Sequence, residues 1–171
     1  GVPKPDELKS LKYLKKKYSI KKNYFFLPNH YWIHKNHIVV LKALNYSKLS
    51  NKFQIVSTGN FSDHRDYDHT KKIKKFIDFH CLNQDYLILK IVPYIDLMSL
   101  LYHSIALINP SKSEGWSNTV EQAKSMSKNI IISNIKVHKE QANKNTKMFE
   151  PDDYINLYKI LNKEYSKYLK K

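Results

Sequence analysis

The sequence predicts an α/β domain: a Rossmann-like, doubly wound parallel sheet of about six strands with helices on both faces. Two patterns carry that prediction. Short, continuously apolar runs recur along the 171 residues, as expected of strands buried on both faces. Between them lie longer stretches whose apolar residues recur at helical spacing. Helical segments between consecutive strands supply the right-handed crossovers that parallel pairing requires.

The elements follow in order along the chain. Asp6 to Tyr18 reads as a helix, with Asp6 as N-cap and Leu8, Leu11 and Leu14 along one face. Tyr24 to Leu27 is a short apolar strand ended by Pro28. His34 to Leu44 is helical, from the spacing of Ile38, Val39, Leu41 and Leu44. Phe53 to Ser57 is a second strand, closed by the turn signal Thr58-Gly59-Asn60. Ile73 to Leu82 reads as a helix and Tyr86 to Val92 as a third strand. Ile95 to His103 is helical, with Leu97, Leu100 and Leu101 apolar. Ile105 to Ile108 is a fourth strand, followed by a helix from Asn118 to Met126. Ile130 to Ser133 is a fifth strand, Met148-Phe149 a short sixth, and Asp152 to Leu169 a closing helix. No internal repeat or low-complexity linker divides the chain, so residues 1–171 read as one domain.

Composition bounds the function. Hydrophobic residues make up 42% of the chain, inside the globular range. Cys81 is the single cysteine, which excludes an intramolecular disulfide and fits a reducing compartment. No apolar run has the length of a membrane span, and no signal-peptide pattern opens the chain. The formal net charge is +15, much of it in clusters such as Lys15-Lys16-Lys17, Lys71-Lys72 and Lys74-Lys75. Such a field attracts nucleic acid, anionic lipid or phosphorylated small molecules. A Lys-, Asn-, Ile- and Tyr-rich composition produces the same charge with no partner at all. Neither a Walker-type loop nor a GxGxxG loop is present, which argues against an ATPase or a dinucleotide dehydrogenase.

In a doubly wound sheet the ligand sits at the carboxyl ends of the strands. The loops after Leu27, Thr58, Val92 and Asn109 are therefore expected to line one crevice. The densest of them runs from Pro110 into the helix that ends at Met126. It holds Glu114 and Gly115 on the turn, and Ser117, Asn118 and Thr119 at a helix start whose amides suit phosphate. Glu121, one turn into the helix, can accept bonds from a ribose hydroxyl pair; Asn118-x-x-Glu121 is equally spaced for a capping box. Glu114 can face donor-sugar hydroxyls or positive charge at an anomeric carbon; Ser111-x-x-Glu114 also has capping-box spacing. Gly115 permits a conformation or close approach that a side chain would block. In the loop after the first strand, Lys35 can reach a diphosphate as a compact cation. His30, His34 and His37 share that loop with Asn29 and Asn36. Their spacing invites a metal reading, but no cysteine or clear carboxylate completes such a site. Trp32 can stack on a base or sugar, or serve an interface or the core. Asp63, Asp66 and Asp68 lack the glycine and terminal glutamate of a calcium loop.

These residues resemble a known family. Pro110-Ser111-x-x-Glu114-Gly115, followed by Glu121-x-Ala123, is similar to the signature of family 4 glycosyltransferases, which have the GT-B fold. Leu27-Pro28-Asn29, His34-Lys35-Asn36-His37, Thr58-Gly59-Asn60, Glu114-Gly115-Trp116-Ser117-x-Thr119-Val120-Glu121 and Val137-His138-x-Glu140-Gln141 resemble a subgroup found among bacterial surface-polysaccharide enzymes. The resemblance spans Tyr24 to Asp152. It implies a two-domain enzyme in which this chain is the C-terminal, donor-binding half and the N-terminal acceptor domain is absent. It implies a retaining, hexosyltransferase-type enzyme that uses an NDP-sugar, with no metal and no further cofactor. Glu114 is then the catalytic carboxylate facing the donor sugar, Glu121 holds the ribose, and Lys35 holds the diphosphate. Val92, within Ile91-Val92-Pro93, borders the nucleobase. His30, Gly59, Gly115, Ser117, Asn118 and Thr119 complete the donor-binding set.

The acceptor, a saccharide or lipid-linked saccharide, is reached through the other domain, so the 171 residues alone are expected to bind nucleotide and transfer nothing. The implied setting is cytoplasmic, peripheral to the inner face of an anionic membrane, with no specific nucleic acid. Two departures stand out. Six residues, Gly115 to Val120, separate the two glutamates where the family usually has seven, a shortening shared by the narrower subgroup. His30 occupies the position, five before the lysine, where many members carry an arginine. The rival readings are a basic module for nucleic acid or anionic membrane without transferase chemistry, and another sugar enzyme on the same scaffold. A phosphorylase would need a pyridoxal-binding lysine motif, which is not seen.

Overall fold

The computed structural model describes residues 1–46, 52–62 and 64–171; Asp63, weighed above for calcium, lies outside them. Six parallel strands form one sheet in the order β3-β2-β1-β4-β5-β6: β1 Tyr24–Leu27, β2 Gln54–Ser57, β3 Tyr86–Ile88, β4 Ala106–Asn109, β5 Asn129–Ser133 and β6 Thr146–Phe149. The helices are α1 Leu11–Tyr18, α2 His37–Tyr46, α3 His69–Phe79, α4 Tyr94–His103, α5 Asn118–Ser125, α6 Lys136–Gln141 and α7 Tyr154–Leu169. The predicted doubly wound sheet is therefore present.

Side chains alternate across the sheet, which is why the strands read as unbroken apolar runs. Phe25 and Leu27 of β1 enter one core, with residues of α2, α3 and α7. Tyr24 and Phe26 enter the other, with residues of α1, α4 and α5. The chain reverses its direction of growth between β1 and β4, where Phe26 pairs with Leu107. A crevice opens at that switch point, outside the carboxyl ends of the two strands.

Two predicted boundaries shift for local reasons, and one helix was not predicted. The first helix starts at Leu11, with Ser10 and not Asp6 as N-cap. Pro5–Glu7 forms a separate 3-10 turn. The amide of Lys9 is drawn off to Ser99 Oγ on α4 at 2.8 Å, so the two segments do not merge. The third strand stops at Ile88 because Lys90 turns into the left-handed region (φ 59), and its carbonyl accepts the Gly59 amide at 2.8 Å. Helix α6 was not expected, since Lys136–Gln141 carries no apolar periodicity.

Candidate functional site

Residues 28–36 run from β1 to α2 and are fixed at several points. Tyr31 N donates to Asn60 O at 2.9 Å, and Lys112 N donates to His34 O at 2.8 Å. Asn36 takes a left-handed conformation (φ 61), and its Nδ2 donates to Pro110 O and Pro151 O at 2.9 and 2.8 Å. These bonds carry Lys35 over the turn between β4 and α5. Gly59 sits against the same loop with φ +120; a Cβ there would lie 2.7 Å from Asn29 O.

Beneath the turn lies a polar network whose central member, Asn109, the sequence pattern did not mark. Asn109, the fully buried last residue of β4, accepts from Asn29 Nδ2 at 3.0 Å. Its own Nδ2 donates to Glu114 Oε1 and Ser117 Oγ, both at 3.2 Å. Ser111 Oγ lies 2.7 Å from Glu114 Oε1 and 2.8 Å from Asn109 Oδ1; its one proton serves one of them at a time. Only the location of Asn109 at the end of an apolar strand could have flagged it.

Lys35 Nζ meets both oxygens of Glu114 at 2.8 Å. The pair is mostly enclosed, with side chains 14% and 8% exposed. Burial pushes the Glu114 carboxyl up, but the hydrogen bonds from Lys35, Ser111 and Asn109 outweigh it and hold the group below the usual carboxylate range. The carboxylate is thus ionised at neutral pH, and its charge is matched by one lysine.

A groove of about 280 Å³ opens between the β1 loop and the start of α5. Pro28, Asn29, His30, Trp32 and Lys35 line one side; Glu114 and Trp116 to Thr119 line the other. A second cavity of about 460 Å³ shares Glu114 and is bordered by Gly115, Ile135 and Val137. Ser117 is the N-cap of α5, its Oγ accepting from Val120 N at 3.4 Å. Asn118 and Thr119 occupy the first two helical positions, whose amides lie outside the intrahelical ladder.

Several expectations are corrected by this geometry. Neither capping box forms: α5 is capped by Ser117, and Ser111 bonds Glu114 side chain to side chain on a turn. Glu121 instead accepts from Gln141 Nε2 at 2.9 Å and from Lys124 Nζ at 3.1 Å, both at Oε1. The Gln141 bond, with Lys124 behind it, holds its carboxyl below the ordinary range. The Ser117 amide donates to Gln141 Oε1 at 3.2 Å and so is not open to an anion. Gly115 has open space around its Cβ direction and no left-handed φ, so neither backbone strain nor close packing within the chain calls for glycine there. Val92 packs partly buried on the core of α1, α4 and α5 and is not among the residues lining the groove; neighbouring Ile91 is exposed. Gly59 supports the groove from behind without lining it.

The loop histidines go to separate places. His30 Nδ1 accepts from Asn60 N at 2.8 Å, which gives that side chain a structural task in joining the two loops. His34 stacks on Trp32. His37 is fully buried beneath Tyr31, its Nε2–H donating to Asn29 O at 3.1 Å. Burial lowers the His37 pKa to about 3. On α6, His138 is also fully buried; its Nδ1–H donates to Ser133 O at 2.9 Å, and burial lowers its pKa.

A Rossmann-like sheet with this groove at its switch point is matched by a known family. The sequence model described as glycosyl transferases group 1 covers residues 14–163. The chain belongs to that family. No curated protein sequence matches it. Among solved structures, a glycosyltransferase from Rickettsia africae ESF-5 is similar at 24% identity and a TM-score of 0.81, over 96% of this chain and 42% of that one. Anabaena Alr3699/HepE, in complex with UDP and glucose, is similar at 14% identity and a TM-score of 0.81, over 94% and 43%. The C-terminal domain of the group 1 family protein LpcC from Francisella tularensis is similar at 15% identity and a TM-score of 0.77, over 92% and 83%. These likenesses share the fold. This chain of the glycosyl transferases group 1 family spans less than half the length of the first two structures.

Proposed function

We propose that the chain is the donor-binding domain of a retaining glycosyltransferase that takes a sugar from an NDP-sugar and passes it to a saccharide or lipid-linked saccharide. The observation that carries this reading is the groove at the sheet's switch point, bounded by Lys35, Glu114 and the first amides of α5. A lysine, a helix start and a carboxylate are what a diphosphate joined to a sugar requires. The occurrence of UDP and glucose in the similar Anabaena structure supports it.

On this reading the diphosphate displaces Glu114 from Lys35. The ammonium and the Asn118 and Thr119 amides then stabilise the negative charge that develops on the leaving diphosphate. Glu114, released from the lysine, faces the sugar. Glu121 takes the ribose hydroxyls, each charge-assisted bond contributing about 1.5–3 kcal/mol. The acceptor belongs to a second domain, and the chain by itself binds nucleotide without transferring sugar.

Calorimetric titration with UDP, GDP, ADP and CDP tests the proposal. Selective binding of one diphosphate, weakened by about 1–3 kcal/mol in Glu121→Ala, is the expected result. Binding of none of them would overturn it and favour a basic surface module, whose affinity falls steeply with salt.

A further inference from the structure

We infer that Gln141 is a positioning residue for the donor site, orienting Glu121 so that one carboxylate oxygen is held by the protein and the other faces the ligand. The inference rests on the proposed donor-binding reading.

Gln141 is fully buried at the end of α6. Both amide hydrogens and the carbonyl oxygen are engaged at the start of α5. Its Oε1 accepts from Ser117 N at 3.2 Å, while Nε2 donates to Ser117 O at 2.9 Å and to Glu121 Oε1 at 2.9 Å. Only one amide orientation fits. The flipped form would set NH₂ against an N–H, and oxygen against a carbonyl and a carboxylate. The side chain therefore reads the backbone of the helix cap and the carboxylate together.

Helix α6 spans Lys136–Gln141, too short to hold itself. It is anchored by His138, whose Nδ1–H donates to Ser133 O at 2.9 Å. Ser133 Oγ in turn donates to Ser111 O at 2.5 Å, on the turn that carries Glu114. Helix α6 is thus tied to the turn through His138 and Ser133, and to the start of α5 through Gln141. Both protein donors on Glu121, Gln141 and Lys124, converge on Oε1. Among the described residues Oε2 meets no donor, and it remains for the hydroxyl pair of a ribose.

The test uses Gln141→Glu, Glu121→Gln and the double variant. Each is titrated with the tightest-binding of UDP, GDP, ADP and CDP, and with inorganic pyrophosphate, at pH 8 and pH 5.5. Gln141→Glu places a carboxylate against a carboxylate. We expect about a tenfold loss of nucleotide affinity at pH 8, one lost bond's worth. The loss shrinks at pH 5.5, where the two carboxylates share a proton. The wild type shows no such pH dependence, and pyrophosphate, which lacks ribose, binds all variants alike. In the Glu121→Gln background, adding Gln141→Glu costs less than it does in the wild type, because the new amide at 121 can donate to the new carboxylate at 141 and only the bond to Ser117 O is lost. Losses that multiply in the double variant, or an equal loss for pyrophosphate, would overturn the inference alone and leave Gln141 a brace for α5. No nucleotide binding by the wild type, or unchanged binding by Glu121→Gln, would overturn the donor-site reading and this inference with it.

Discussion

Gly59→Ala is a sharp test of how the groove is built. Gly59 adopts φ +120, and an added Cβ would lie 2.7 Å from Asn29 O, 2.8 Å from Asn29 C and 2.8 Å from His30 N. All three are backbone atoms, so no side chain can swing aside. Reaching ordinary contact at 3.4 Å requires the 29–30 peptide to move by about 0.7 Å. That peptide is tied down: Asn29 O accepts from buried His37, and Asn29 Nδ2 donates to Asn109. The backbone conformation alone costs about 1–3 kcal/mol, and the forced displacement about 1–3 kcal/mol more. A loss of roughly 3 kcal/mol should lower Tm by about 6–12 °C in a domain of this size. Urea denaturation gives the stability directly, and diphosphate titration at a temperature where the variant stays folded gives the site. Affinity should fall as well, because Asn29 and His30 line the groove. A stability change below about 0.5 kcal/mol would refute the reasoning, since it would mean that the two loops are not locked together as described.

Three further outcomes follow from the same geometry. Glu114→Gln removes the charge that holds Lys35; a sugar-free nucleoside diphosphate should then bind about 3–10-fold more tightly, and unchanged or weaker binding by calorimetry would refute the exchange of partners. Asn109→Leu leaves the buried Asn29 amide without its acceptor and should cost about 1–3 kcal/mol in chemical denaturation. His37 has a pKa lowered to about 3 in the fold, against about 6.5 unfolded. Between those values the unfolded chain binds the extra proton, so stability is full above pH 6.5 and declines as pH falls. The decline from this group is about 2 kcal/mol between pH 7 and pH 5, and it should be absent from the slope of a His37→Phe variant.

Much of the fold is set by local pattern. Apolar runs located the inner strands β2, β1, β4 and β5, whose residues are nearly all buried; the edge strands β3 and β6 are only partly buried, and there the predicted bounds were less exact. The placement of Glu114, Ser117 and Thr119 beside the groove was legible too, since a turn between a β-strand's end and a helix start can face only that crevice. Lys35 was legible for the same reason. Its pairing with Glu114 was not, because the partner lies 79 residues away in sequence.

Other features depend on contacts that no spacing reports. Asp6 carries a good capping side chain, yet the Lys9 amide goes to Ser99 on a distant helix, and the helix begins after Ser10. Tyr86 to Val92 is apolar enough for a longer strand, yet Lys90 turns left-handed to meet the Gly59 amide. Gly115 looked like the glycine that the site requires, whereas the backbone constraint falls on Gly59. Sequence pattern alone located the sheet and its crossovers, because burial and helical period are written residue by residue; of the four loops expected in one crevice, those after Leu27 and Asn109 line the groove, and those after Thr58 and Val92 do not. The hydrogen-bond partners of Glu114, Glu121 and Gln141 came from the tertiary fold, because bonds between side chains far apart in sequence exist only after the sheet has brought its strand ends together.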